Sequence, residues 1–215
     1  LAPTYMWAQE VNVGPLLVHI VDPTSNVMIL PDTFPLPGER ASTIHVSACR
    51  GELESASFII RPLLRDINDL RIHVTDLKGT SGNILSRNVD LTIVKAWFQG
   101  GNAWNTIQAS QTAILVPELL LHDDGLIRVD IKNKMNYVKL SRAGQTRYES
   151  ISERSIAPQQ VVLHSVESFP VRDATTLQPF SAPFHENRQL VITVRVPVEA
   201  TSDTYEGKVV IQEGE

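Results

Sequence analysis

Residues 190–196 read Leu-Val-Ile-Thr-Val-Arg-Val. Laid out as an extended chain, Leu190, Ile192, Val194 and Val196 fall on one side, and Thr193 and Arg195 on the other. Side chains alternate across a strand, so this stretch reads as a strand with one face on a core. The same period of two recurs on both sides of it. Downstream, Tyr205, Val209 and Ile211 oppose Glu206, Lys208 and Gln212. Upstream, Ile127, Val129 and Ile131 alternate with Arg128 and Asp130. Leu70, Ile72 and Val74 alternate with Arg71 and His73, and Ile44, Val46 and Ala48 with Thr43, His45 and Ser47. Residues 16–21, 54–61, 89–98, 137–140, 148–151 and 161–166 read as further strands with less regular faces. No window of about 11 residues carries a 3.6-residue period. Gly, Pro, Asn and Asp punctuate the runs at 35–38, 79–83, 100–102 and 123–125. Many short strands between turn signals predict an all-β fold, an antiparallel β-sandwich with long irregular loops.

At roughly 150 residues per domain, 215 residues make one large domain or two small ones. The pattern places an N-terminal lead over 1–14 and a single sandwich domain over 15–213. Residues 132–147 and 168–188 are poor in pattern and read as long connections, functional or pinned by a neighbour.

Lys+Arg is 19 and Asp+Glu is 24, a net charge of −5. Such a chain lacks the positive field that drives nucleic-acid binding, and its basic residues are scattered, so no nucleic-acid partner is expected. No apolar run reaches the ~18 residues of a membrane-spanning helix. The one cysteine, Cys49, excludes an internal disulfide and reads as a buried or inert thiol.

The signatures of common chemistries are missing. There is no G-x-x-x-x-G-K-[ST], no G-x-G-x-x-G and no G-x-S-x-G. His185-Glu186 meets Gln189 where a second histidine would complete a zinc-protease motif. No cofactor, metal or catalytic residue is therefore expected. Glu118, Asp123, Asp124 and Asp130 form an acidic cluster with three readings. Asp123-Asp124-Gly125 makes sense as a hairpin turn, with Gly125 free to take a positive φ. Paired carboxylates also suit calcium or acid–base work, although the spacing is not that of an EF-hand.

An aromatic face can stack on a sugar ring, so the tryptophans are the candidate carbohydrate contacts. Trp104, after Gly100-Gly101-Asn102, is the candidate for an exposed platform or a loop anchor. Trp97 shares the parity of Leu91 and Ile93, which favours core burial. Leu119, Leu120 and Leu121 are consecutive and cannot share one face of a strand. Pro117 lacks the N–H a central strand needs. The segment with Glu118, Leu119, Leu120, Leu121, Asp123 and Asp124 is therefore expected at a sandwich edge, with one leucine exposed, as a contact with another domain.

Three stretches also carry a resemblance. They are Arg50-Gly51-Glu52 with Ser55-Ala56-Ser57-Phe58; VKAWFQGGNAW at 94–104, continuing to Pro117-Glu118-Leu119-Leu120-Leu121-His122-Asp123-Asp124; and Asn187-Arg188-Gln189, Val194-Arg195-Val196-Pro197 and Tyr205-Glu206-Gly207. Over roughly 50–212 the order resembles the N-terminal β-sandwich domain of bacterial proteins related to glycoside hydrolase family 123. There the sandwich precedes a (β/α)-barrel that carries the catalytic acids. The resemblance implies a non-catalytic accessory domain, cut before a C-terminal barrel. It also implies a catalytic domain of the same polypeptide as partner, a possible glycan ligand, and a secreted or periplasmic location. A carbohydrate-binding module, an adhesion or scaffold domain, and a free-standing hydrolase using the acids around Asp123 are the alternatives, since sandwiches host all of these.

Overall fold

The computed structural model describes residues 4–12, 16–99, 113–142, 145–151 and 171–214. They form an all-β fold. In chain order the strands are β1 (Thr4–Asn12), β2 (Leu16–Val21), β3 (Thr43–Ser47), β4 (Leu53–Pro62), β5 (Ile67–Val74), β6 (Leu77–Lys78), β7 (Asn83–Ile84) and β8 (Val89–Gln99). After these come β9 (Ile114–Leu121), β10 (Ile127–Asp130), β11 (Met135–Arg142), β12 (Gln145–Ser150), β13 (Phe180–Ala182), β14 (Arg188–Arg195) and β15 (Thr204–Glu213).

Two large sheets share one core. The first runs β13-β5-β15-β1-β3, with the small β6–β7 pair attached to β15; the second runs β2-β4-β14-β8-β9. A separate three-stranded sheet runs β10-β11-β12. The alternation at 190–196 is realised as read. Leu190, Ile192 and Val194 are buried, and Leu190 stands between Phe58 of β4 and Ile93 of β8. Facing them from the first sheet are Ile44, Ile72, Tyr205, Val209 and Ile211 in the same core.

The second sheet also has an outer face, and its two ends differ. At the β2–β4 end, Leu17, Val21 and Ile59 pack under Ile29 and Leu36 of the long β2–β3 connection. Asn187, 4% exposed, ties that connection down. Its Nδ2 donates to the Leu30 and Thr33 carbonyls at 2.9 and 2.8 Å, and its Oδ1 accepts from Arg61. At the other end of the face lies β9.

Residues read as a lead hold a strand. β1 lies between β15, which it pairs in parallel, and β3, which it pairs antiparallel. Trp7 is wholly buried, opposite Gly207 on one side and Ile44 on the other. Tyr5, Met6, Trp7 and Ala8 are apolar without alternation, so period-two reading passes over them. The connections read at 132–147 and 168–188 likewise hold paired strands: β11, the start of β12, and the short β13 against β5. The strand read at 161–166 lies outside the described residues. Cys49 is exposed rather than buried, at the turn after β3.

Candidate functional site

Among the described residues β9 pairs only with β8, so Pro117 to Leu121 lie at the edge of the second sheet, with 122–124 in the turn that follows. The pairing slips between Lys95 and Ala96, which face Leu119 and Pro117, so Glu118 is an extra, bulged residue. A bulge and a proline are the devices that end regular pairing at an edge. They also sort the leucines. Leu121 is buried opposite Ile93, Leu119 packs half-buried against the main core, and Leu120 is 56% exposed on the outer face beside Val94. The exposed leucine expected from three in a row is Leu120.

The acidic cluster is taken up by local partners. Glu118 Oε1 accepts from the Trp97 indole N–H at 2.6 Å and from Gln99 Nε2. Asp123 Oδ1 accepts from the Gly125 N–H at 2.8 Å, and Asp123 Oδ2 pairs with Lys139. Asp124 Oδ1 pairs with Lys95 at 2.8 Å. Asp130 caps Asn133. The turn read at 123–125 is not a hairpin. Residues Asp124–Leu126 form one 3-10 turn, Asp123 caps it, and the strands it joins belong to different sheets. Gly125 is not among the residues with positive φ.

Asp173, distant in sequence, completes this corner. Its carboxylate accepts from the backbone N–H groups of His122 and Asp123 at 2.7 and 2.9 Å. Burial alone would raise its pKa, but these bonds and that of Ala174 hold it below the ordinary carboxylate value. The His122 ring lies between Asp173, 3.3 Å from Nδ1, and Asp90, 2.8 Å from Nε2. Burial would lower the imidazole pKa, and the two carboxylates, Asp90 foremost, outweigh it and raise it.

Beside β8 a cleft of about 470 Å³ opens. β8 pairs with β14 as far as Ile93, opposite Leu190. Further along, the buried Asn136 side chain bonds to the Phe98 backbone. Between these two attachments Val94, Lys95 and Ala96 line the cleft, and β10, the edge of the small sheet, faces them with Arg128. Tyr148 of β12 closes one side, its hydroxyl donating to the Gly125 carbonyl at 2.7 Å. The guanidinium of Arg128 stands over the rings of Tyr148 and Tyr137, 4.7 and 5.2 Å from their centroids.

Of the candidate residues, Trp97, Glu118, Leu119, Leu120, Leu121, Asp123 and Asp124 therefore gather along β9 and the turn that follows it. Trp97 is half-buried and packed on the core. Trp104 lies outside the described residues. The sequence reading passed over the Arg128–Tyr137–Tyr148 stack. Its only signal was that Arg128 falls on the polar face of an alternating run; the register that brings two tyrosines to it is not local.

No family model matches the chain, and no curated protein matches it. Among solved structures it is similar to a family 123 glycoside hydrolase from Clostridium perfringens, described for glycolipid glycan hydrolysis. The TM-score is 0.45 and the identity 8%. The match covers 94% of this chain and 28% of that one. The chain thus spans little more than a quarter of that protein, and a likeness at this level assigns it no activity.

Proposed function

We propose that this chain is a non-catalytic accessory β-sandwich domain that docks, through the β9 edge, on a carbohydrate-active catalytic domain of the same polypeptide. Two lines support the reading. The first is the resemblance of the 117–124 stretch and its companions to the N-terminal sandwich of family 123-related proteins. The second, which carries it, is Leu120, a large apolar side chain 56% exposed on an edge strand whose flanking carboxylates are all engaged inside the domain. An edge strand with an apolar residue facing water is a site for a covering partner. The same engagement argues against hydrolysis. Glu118, Asp123 and Asp124 hold a tryptophan, a glycine N–H and two lysines instead of flanking a bond to be cleaved. A sugar platform on Trp97 has less behind it, since the indole is packed on the core and its N–H is taken by Glu118.

Leu120→Lys tests the reading. The isolated chain keeps its thermal midpoint, because an exposed side chain loses little by the change. In the longer polypeptide the same substitution opens the junction between domains to limited proteolysis. Equal protease resistance of the two long polypeptides would falsify the docking.

A further inference from the structure

We propose that the cleft between β8 and β10 binds a small hydroxylated carboxylate, the chemistry of a uronic acid residue, with Arg128 holding the carboxylate. The argument rests on which charges in the cleft are already spent. Lys95 is neutralised by Asp124 at 2.8 Å and also donates to the Asp124 carbonyl. Arg188 pairs with Glu186 through Nη1 at 3.5 Å, the same Nη1 donates to the Asn187 carbonyl, and Nε donates to the Ser181 carbonyl. Arg128 has no hydrogen bond and no ion pair among the described residues, yet it is held in place by Tyr137 and Tyr148. Tyr148 is in turn fixed by its bond to Gly125.

Stacking engages the flat face of a guanidinium and leaves its N–H edge available. That edge matches a carboxylate with two parallel hydrogen bonds, and a guanidinium already held in place loses little freedom on binding. The cavity, about 470 Å³, lies in the range of small-molecule sites. Val94 and Ala96 give it an apolar wall.

From the β2–β3 connection Asp32 also lines the cleft, and its carboxylate has no partner among the described residues. Among the described residues, one free cation and one free carboxylate leave the cleft with no surplus charge, which disfavours dianions such as phosphate esters. They favour a ligand with one negative charge for Arg128 and hydroxyl donors for Asp32. Sugar acids and open-chain hydroxy acids share that chemistry.

The test is titration calorimetry of the intact chain at low salt with three probes: glucuronate, gluconate and glucose. Glucuronate binds at least about tenfold more tightly than glucose, and Arg128→Gln weakens it roughly 10- to 100-fold, the range of a charged hydrogen-bonded pair. Arg128→Lys, which keeps the charge but not the fork, falls between. The variants stay folded, with thermal midpoints within a few degrees of the wild type, since Arg128 is exposed and loses only its stacking on Tyr137 and Tyr148. Preference for glucuronate over gluconate assigns the site to acidic sugars, and equal affinity assigns it to hydroxy acids at large. Glucose binding as tightly as glucuronate, unchanged affinity in Arg128→Gln, or no binding of either acid at about 10 mM overturns the proposal.

Discussion

Asn136 takes the place of a neighbouring strand beside Phe98. Its Oδ1 accepts from the Phe98 N–H at 2.9 Å and its Nδ2 donates to the Phe98 carbonyl at 2.8 Å. One buried amide thus satisfies both backbone groups of a residue that β14 does not reach, and it couples the small β10-β11-β12 sheet to β8. The cleft owes its shape to this bridge, because Val94 to Ala96 stay open between the two attachments.

Asn136→Ala leaves the Phe98 N–H and carbonyl without this partner. Two lost bonds at a partly buried site should cost about 2–3 kcal/mol. Urea unfolding of both proteins measures it. A change within about 0.5 kcal/mol, the size of a neutral surface substitution, would show that the bridge holds nothing.

The His122 corner makes stability depend on pH. The folded imidazole has a raised pKa, so its pairing stabilises below about 6.5, and this is lost as pH rises through the folded value. Asp173 is shifted the other way. Its contribution is present above about 3.9 and is lost as pH falls through its lowered value. Both act together from about pH 4 to somewhat above 6.5. His122→Gln should therefore cost more near pH 5.5 than near pH 8.5, by a few tenths to about 1 kcal/mol given the exposure of Asp90. Equal costs at the two pH values would remove the ion pairs from the account.

Trp7 lies in the stretch read from sequence as a lead, and it is among the largest wholly buried side chains. Trp7→Ala should cost about 3–5 kcal/mol. Thermal and denaturant midpoints check this. A midpoint close to wild type would mean that β1 is dispensable to the core.

What the sequence reveals about this fold depends on how local each feature is. Residues 190–196 are legible because every second side chain faces one core, and pattern alone reports that. The exposed leucine at the 119–121 run is legible for the same reason, since three consecutive leucines cannot share a face. β1 is not, because Tyr5 to Ala8 are apolar without a break and the strand is defined by its pairing with β15 and β3, both distant in the chain. Asp123-Asp124-Gly125 has the composition of a hairpin turn. Its actual shape answers to Lys139 and to Asp173, about 50 residues away in the chain. The free charge of Arg128 is just as hidden, since it depends on which other cations in the cleft have found partners.

Hydrogen exchange over β9 tests the central claim most directly. The amides of Ile114–Leu121 are compared in the isolated chain and in the proposed longer polypeptide, in which a catalytic domain accompanies it. Docking through this edge predicts slower exchange there in the longer polypeptide, concentrated around Leu120, with β2 at the opposite edge of the same sheet unchanged. Identical exchange over Ile114–Leu121 in the two proteins, or protection found only elsewhere, would contradict it.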